Sequence, residues 1–428
     1  MKHRIRLGAG VAVVSALLAT GQAWAQAPAT ERVSVNSDEQ QANAHALELR
    51  WGTSSSPQAE ISDDGRYVAW WSEATNLVKR DTNRRSDVFV RDRLRGTTAR
   101  VSVGTRGRQA NGDSTAVAMS ADGRYVAFTS DATNLVPGDT NERSDVFVRD
   151  RVARTTTRVS VGPNGRQADQ GVLPYVVMSA DGNVVVFSSY STTFGGRDRN
   201  DQPDVFAHDR RTGVTTRVSA APAGADANQR SLAGSVSDDG RLVTFTSTAT
   251  NLVANDTNNA ADAFLRDLQT GTTTRIAENV FDRYDSGGVE LSGDGIVVAY
   301  SRMSDVYLLH RPTGTESVFE KWNGVPPAPW TTVGALSADG TRVLYQSIVR
   351  PLPQGELLTT TDAFVRDLRS STTKQLSVTP SGASANGSSY VAGMSRDGRW
   401  AAFRSAASDL VAGDTNRRVD LFVRGPLF

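Results

Sequence analysis

The sequence predicts an all-β fold built from repeated four-stranded antiparallel units, and three observations support this prediction. A Ser-x-Asp-Gly motif recurs along the chain, short runs rich in Val, Phe, Tyr and Thr lie beside each copy, and turn-forming residues separate the runs. Such runs are typical of β-strands, and recurrence at a long, nearly fixed period is typical of repeat architectures.

The Ser-x-Asp-Gly motif occurs seven times in the 428 residues, and its glycines are 58, 59, 58, 55, 45 and 58 residues apart. The Asp-Gly pair supplies the positive φ that a tight hairpin requires. The count therefore predicts seven structural units. Their motifs begin at Ser62, Ser120, Ser179, Ser237, Ser292, Ser337 and Ser395.

Four strands are predicted in each unit, and the second unit shows them most clearly, at 115–120, 125–130, 145–150 and 156–161. Their apolar residues fall on both faces, as expected of sheets packed between neighbouring sheets. Four-stranded antiparallel units at a regular period indicate a seven-bladed β-propeller.

A linear stack of sheets would show the same repeat, so closure into a ring needs separate evidence. The last unit ends at Phe428 after its third strand, whereas the N-terminal ERVSV at 31–35 matches the TRVSV of a fourth strand at 157–161. We therefore expect residues 31–35 to complete the blade formed by 386–428, which removes open sheet edges.

The N-terminus has the pattern of a secretory signal peptide. Lys2, Arg4 and Arg6 precede an apolar segment that is too short to span a membrane, and Ala-Trp-Ala ends at Ala25. We expect cleavage after Ala25, although Ala27 also fits, and a single propeller domain over 26–428. The mature protein is then expected to be periplasmic or secreted.

Composition limits the classes of partner. The 47 Lys and Arg nearly balance the 46 Asp and Glu, and in runs such as VRDR they alternate. No nucleic-acid partner, no membrane insertion and a monomer are therefore expected. The chain has no cysteine, so disulfides cannot contribute to its stability.

The repeat resembles that of the TolB-like (WD-type) β-propeller family of exported bacterial proteins. The similarity lies in Ser-x-Asp-Gly-x-x-Val-Ala-Phe followed by Asp-Val-Phe-Val-Arg-Asp, and it covers nearly the whole mature chain. Such propellers have binding, scaffolding and catalytic roles. The N-terminal α/β domain of TolB is missing here, and no Gly-x-Ser-x-Gly motif indicates the hydrolase domain of the peptidase relatives.

The loop between the second and third strands reads Asp-x-Asn-x-x-x-Asp in five units. Oxygen-bearing side chains at these positions resemble the start of a calcium loop, and calcium is the one possible cofactor. The alternative is that Asp and Asn cap turns by bonding backbone amides. The loops contain Asp81, Asn83 and Asp87; Asp139, Asn141 and Asp145; Asp198, Asn200 and Asp204; Asp256, Asn258 and Asp262; and Asp414, Asn416 and Asp420.

Catalytic motifs are scarce. His3 lies in the signal, and His45, His208 and His310 are dispersed along the chain, so a transition-metal site or an activated nucleophile has little support. No catalytic residue is therefore assigned, although carboxylates and arginines facing the channel could serve an enzyme.

Blades five and six depart from the repeat. Blade five lacks the Asp/Asn loop, and blade six has longer segments at 318–330 and 348–361. Four aromatic residues in the irregular connections could bind a partner, because loops on a rigid scaffold often carry function, or could fill gaps between blades. They are Phe281, Tyr284, Trp322 and Trp330.

These observations predict an exported binding or scaffolding module that recognises a protein, a peptide or a cell-surface glycan. The alternative is a carbohydrate-active lyase or hydrolase with an acidic site facing the channel. Perturbed acids converging in the channel near blades five and six would favour the enzyme, whereas a flat aromatic rim would favour the scaffold.

Overall fold

The computed structural model describes residues 29–47, 59–195, 200–280, 288–302, 305–319, 331–350 and 360–428. These residues form seven four-stranded antiparallel sheets arranged as the blades of a propeller. The predicted fold is confirmed. Among the described residues, no helix combines the length and the apolar character that crossing a membrane requires.

Six blades use four consecutive strands each, and the seventh takes its fourth strand from the N-terminus. The strands of blades one to three are β2 (Ala59–Ile61), β3 (Tyr67–Ser72), β4 (Asp87–Asp92), β5 (Thr97–Arg100), β6 (Ser114–Met119), β7 (Tyr125–Ser130), β8 (Asp145–Asp150), β9 (Thr155–Arg158), β10 (Val172–Met178), β11 (Val184–Ser189), β12 (Asp204–Asp209) and β13 (Val214–Arg217).

The strands of blades four to six are β14 (Ser231–Val236), β15 (Leu242–Ser247), β16 (Asp262–Asp267), β17 (Thr272–Ala277), β18 (Val289–Leu291), β19 (Val297–Arg302), β20 (Asp305–His310), β21 (Thr315–Val318), β22 (Thr332–Leu336), β23 (Arg342–Arg350), β24 (Thr360–Asp367) and β25 (Thr372–Gln375). Blade seven contains β26 (Ser389–Met394), β27 (Ala401–Ser405), β28 (Asp420–Gly425) and β1 (Ala29–Arg32).

Blade seven closes the ring as predicted, but its N-terminal strand begins and ends earlier than 31–35. Strand β1 pairs antiparallel with β28, with Thr30 opposite Arg424. The chain then leaves the sheet toward blade one, since the Ser34 hydroxyl donates to Asp420 and Val35 forms an isolated bridge with Gln41.

Aromatic pairs occupy the same place in every blade, where the second and third strands face each other. Their ring centroids lie 5.3 to 6.1 Å apart. The apolar clusters join successive blades, and the cluster of blades seven and one includes Val423 and Trp70. The core is therefore continuous around the ring, including the place where the two chain ends meet.

The glycine of the Ser-x-Asp-Gly turn also serves packing between blades. Gly65 has φ +69°, and a Cβ at this position would lie 2.4 Å from Nε1 of Trp400 in blade seven. The motif needs glycine both for its positive φ and for this close approach.

The blades present two distinct faces. The turn face carries the Ser-x-Asp-Gly turns and the hairpins that join third to fourth strands. The loop face carries the loops that join second to third strands and the connections between blades. Three of those connections contain a 3₁₀ turn, at Thr105–Gly107, Pro163–Gly165 and Pro222–Gly224.

Candidate functional site

The central channel is lined by two layers of side chains from the innermost strands. The first layer is formed by the residue that lies two positions before the motif serine in each blade. Glu60 and Glu290 are its acidic members, and the others are small or apolar. The second layer is formed by the variable residue x of each Ser-x-Asp-Gly motif. Its charged members are Asp63, Asp238 and Arg396. These two layers thus contain four carboxyl groups and one guanidinium group.

Backbone hydrogen bonds hold the channel mouth on the turn face. The Asp63 amide donates to the Ala121 carbonyl at 2.9 Å, and the Ala121 amide donates to the Ala180 carbonyl at 2.8 Å. In the same way, the Asp238 amide donates to the Gly293 carbonyl at 2.8 Å. These bonds join neighbouring blades, so the mouth is narrow and rigid.

Arg396 bridges this mouth. Its guanidinium, from blade seven, forms an ion pair with Asp238 of blade four on the opposite side of the ring. Burial raises the pKa of Asp63, and Arg396 opposes that rise both by its charge and by its backbone amide, which donates to the carboxylate. The arginine therefore offsets part of the negative charge at this end.

The two channel glutamates are poorly solvated. Burial raises the pKa of Glu60 to about 8, with Arg396 acting to lower it and Glu290 acting to raise it. Burial alone raises the pKa of Glu290 to about 7. Charge is unfavourable in such surroundings, which favours the protonated form of both carboxyl groups.

Space limits what these acids can do. The free volume between the lining residues is about 110 Å³, whereas pockets for small organic ligands usually measure about 300 to 1,000 Å³. A few water molecules fit, but a saccharide chain does not. Perturbed acids are thus present in the channel, without room beside them for the substrate of the predicted alternative enzyme.

The Asp/Asn loops on the loop face are each held by an arginine of the fourth strand. In blade one the Arg100 guanidinium lies 3.1 Å from the first aspartate, Asp81, and 2.8 Å from the last, Asp87. We call this arrangement an arginine latch. It recurs as Arg158 with Asp139 and Asp145, Arg275 with Asp256 and Asp262, and Arg32 with Asp414 and Asp420.

Asparagine and serine side chains complete the latches of blades one, two and seven, whereas in blade four Asn258 and the Asn279 backbone amide donate to Asp262. The Asn83 amide donates to Asp87 at 2.9 Å, and its carbonyl oxygen accepts from the backbone of Arg85 two residues on, which caps the turn. Ser102 donates to the other oxygen of Asp87 at 2.5 Å. In blade three, Arg217 and Ser219 bind Asp204 in the same way, and Asn200 donates to Ala227.

These loops fit a calcium ion poorly. A guanidinium already contacts both carboxylates of a latch, and a divalent cation at the same oxygens would be repelled by it. Burial is the main cause that raises the pKa of Asp81 and Asp139, and their arginines oppose it. No group of three or more acidic, histidine or cysteine side chains in the described residues could hold a metal ion. Calcium binding stays a prediction.

Other predicted site residues lie outside the described part of the chain. They are Asp198, Phe281, Tyr284, Trp322 and Trp330, together with the signal peptide over 1–25. Partner binding by the four aromatic residues therefore stays a sequence-based prediction.

The described histidines have local roles. His45 accepts from the Val419 amide at 2.9 Å, next to the latch loop of blade seven. Burial lowers the pKa of His208 to about 4, and Thr215 lies 2.9 Å from its ring. His310 contacts Thr313 on the turn face.

Sequence reasoning missed the channel acids and the latch arginines, although the repeat contained both signals. Glu60 and Glu290 stand where sister units have small or apolar residues, and an arginine recurs two positions before the serine in most fourth strands. Aligning the seven units by column would have shown both. The contact between fourth strand and loop depends on the folded blade.

Comparisons with known proteins support the fold. No family model matches the chain, and no curated protein matches it. A structure from a study of two prolyl endopeptidases matches with TM-score 0.52 and 12% identity, over 90% of this chain and 51% of that one.

Two TolB structures also match, with lower structural similarity. TolB from Acinetobacter baumannii gives TM-score 0.35 at 14% identity, over 79% of this chain and 59% of that one. A putative TolB from Agrobacterium tumefaciens gives TM-score 0.39 at 13% identity, over 65% and 84%. This chain thus spans only about half of the endopeptidase and under two thirds of the Acinetobacter TolB. At 12% identity, the endopeptidase structure supports the fold alone and says nothing about a ligand of this chain.

Proposed function

We propose that the protein is an exported, non-catalytic binding or scaffolding module that recognises a protein, a peptide or a cell-surface glycan on its loop face. The observation that carries this proposal is the channel, which has about 110 Å³ of free space and an Arg396–Asp238 ion pair across its mouth. Ligand recognition then falls to the outer surfaces. Export rests on the sequence pattern of the first 25 residues.

The loop face suits recognition because its loops are fixed from both sides. The Gln109 side chain, in the connection after blade one, donates to the Arg80 carbonyl at 2.8 Å and accepts from the Thr82 amide at 3.1 Å. Gln167 accepts from the Thr140 amide in blade two at 3.0 Å. These polar groups are already ordered before a partner binds, so binding costs little conformational entropy.

A carbohydrate-active lyase or hydrolase is the second candidate, and the raised pKa of Glu60 and of Glu290 favours it. A protonated carboxyl in a poorly solvated channel could act as a general acid. A polysaccharide would have to widen the channel to reach it.

One experiment separates the two candidates. The mature protein is incubated with immobilised neutral polysaccharides, anionic polysaccharides and peptides, and both binding and the mass of each ligand are followed. We expect saturable binding, ligands of unchanged mass, and equal binding by a Glu60→Gln/Glu290→Gln variant. Ligand shortened by the wild type and left intact by that variant would establish the enzyme instead.

A further inference from the structure

Blade one carries a concentration of positive charge on the loop face. Six cationic side chains in its latch loop and in the connection that follows are exposed. We call them the blade-one patch: Lys79, Arg80, Arg84, Arg85, Arg106 and Arg108. Among the described residues, the one ion pair that involves the patch joins Arg85 to Asp113 at 3.8 Å.

The two segments of the patch lie side by side. Gln109 bonds to the Arg80 carbonyl and to both the amide and the hydroxyl of Thr82, at 2.8 to 3.1 Å. Arg100 also holds the loop, because its guanidinium forms ion pairs with Asp81 and Asp87. The cations are therefore presented together by a rigid backbone, although they come from positions 79–85 and 106–108.

The sister blades provide an internal comparison, because the same backbone carries other residues there. Blade two has, at the corresponding positions, Pro137, Gly138, Glu142, Arg143, Asn164 and Arg166. Of the six patch residues, only Arg85 and Arg108 have a basic counterpart in that blade. Blade seven has Arg417 and Arg418 at the positions of Arg84 and Arg85, but Ala412 and Gly413 at those of Lys79 and Arg80. The full set of six cations therefore belongs to blade one and is not required by the repeat.

Three patch residues occupy backbone conformations that disfavour arginine. Arg80, Arg84 and Arg106 have φ of +60°, +56° and +74°, a region where glycine and asparagine are the common residues. Sister blades have Gly138 and Asn164 at the positions of Arg80 and Arg106, and Glu142, Asn259 or Arg417 at that of Arg84, all with positive φ. Arginine is thus present despite a local conformational cost, which is typical of residues kept for function.

We infer that the blade-one patch binds an anionic polysaccharide, one that carries carboxylate, sulfate or phosphate groups. Guanidinium groups bind such anions through paired N–H donors. No large apolar residue is exposed within the two patch segments, 79–85 and 106–108, so they offer no platform for stacking nucleobases or for inserting into lipid. This inference rests on the proposed function and names its partner class.

The test uses polygalacturonate, with its fully methyl-esterified form as the uncharged polymer of the same backbone. Three patch residues are replaced by those of the sister blades, as Arg80→Gly/Arg84→Asn/Arg106→Asn. The matched control, Arg95→Gln/Arg154→Gly/Arg211→Gln, removes three exposed arginines from the turn face, and there too one of them, Arg154, has positive φ.

Binding is measured at about 50 mM and about 200 mM salt, where screening differs. We expect wild type and control to bind polygalacturonate but not its ester, and to bind more weakly at the higher salt. The patch variant should lose about ten-fold or more in affinity while its melting temperature is unchanged or higher. A role in stability alone would lower that temperature and leave binding intact.

Equal polygalacturonate binding by the patch variant and the wild type would overturn the inference, as would equal or tighter binding of single-stranded DNA. Binding only to neutral polymers or peptides would overturn it and leave the proposed function standing. Cleavage of the polymer would refute the proposed function itself.

Discussion

Blade seven, which is assembled from both ends of the chain, has more side-chain hydrogen bonds and ion pairs on its loop face than blade five, which comes from one continuous segment. Strand β1 supplies blade seven with its outer strand, and the same segment supplies Arg32 and Ser34 to complete a latch. Blade five has no Asp/Asn loop in its sequence and therefore no latch. Blade seven thus has side-chain contacts on its loop face that blade five does not have in the described part of the chain.

The boundary between blades four and five can be compared with the boundary between blades seven and one. Two cavities of about 400 and 440 Å³ flank β17, and Arg275 and Ile276 line both. Between blades seven and one, Trp400 packs against Gly65 and lies under the Arg93 guanidinium at 4.3 Å. Leu242 packs against Gly295 at the corresponding place between blades four and five. Both boundaries are thus packed at the turn glycine, and the two cavities lie beside the outer strand of blade four.

Removing residues 28–36 should have the largest effect. It takes away β1, the buried side chains of Val33 and Val35, and the latch arginine. Each ladder hydrogen bond is worth about 1 kcal/mol and each buried valine about 2 kcal/mol, against a typical stability of about 5 to 15 kcal/mol. We expect insoluble protein or a far lower melting temperature.

A deletion of residues 26–28, which stops before β1, is the matched control and should melt like the full mature chain. A soluble, monomeric 28–36 deletion with an unchanged melting temperature would contradict the role assigned to blade seven.

Single arginine replacements compare the stability that ion pairs contribute to blade seven and to blade five. Arg32→Ala leaves the buried Asp414 and Asp420 without their cation and should cost about 3 to 5 kcal/mol of unfolding free energy. Arg302→Ala in blade five removes a partly exposed pair with Glu316 and should cost about 1 kcal/mol or less. Denaturant unfolding of both variants measures the difference, and equal losses would show that the latch adds nothing.

Much of this fold was predictable from the sequence because the repeat fixes it. The strands expected at 125–130 and 145–150 are observed with those bounds, since each is a compact apolar run between turns. The fourth strand, expected at 156–161, is observed at Thr155–Arg158. Val161 instead forms a bridge to Gln167 in the connection between blades, a contact that strand propensity does not reveal.

The candidate site was less predictable because it depends on contacts between distant residues. Arg32 and Asp414 are at opposite ends of the chain, and the ring brings them to 3.1 Å. Arg396 and Asp238 meet because blades seven and four face each other across the channel. The local pattern indicated oxygen-rich loops and left open whether they bind calcium or cap turns, and it did not indicate the arginine that contacts them.

The channel predicts a moderate pH dependence. The pKa of Glu60 is raised from 4.5 to about 8 and that of Glu290 from 4.5 to about 7 in the folded protein. Their contribution to the free energy of unfolding is therefore fully present below about pH 4.5. It is lost as the pH rises through about 7 and 8, where the two groups ionise in the folded protein. The Glu60→Gln/Glu290→Gln variant should gain melting temperature relative to wild type at about pH 8 and less at about pH 5. A constant difference would contradict the shifted pKa values.

The smallest effect is expected from calcium. An ion that bound only the folded loops would raise the melting temperature by mass action. Because each described latch already contains an arginine, we expect the same melting curve in millimolar calcium and in chelator. A clear rise in calcium would instead support the calcium loops predicted from sequence.

Closure of the ring by its own N-terminus is tested most directly by a cysteine pair, since the chain has no native cysteine. Thr30 and Arg424 lie directly opposite each other, and their side chains are hydrogen-bonded at 2.6 Å. Thr30→Cys/Arg424→Cys should form an intramolecular disulfide on mild oxidation and melt higher than its reduced form. Thr30→Cys/Val423→Cys, one residue out of register and on the other face of the sheet, should not. No disulfide in the first variant, or only disulfide-linked dimers, would contradict a blade seven completed within one chain.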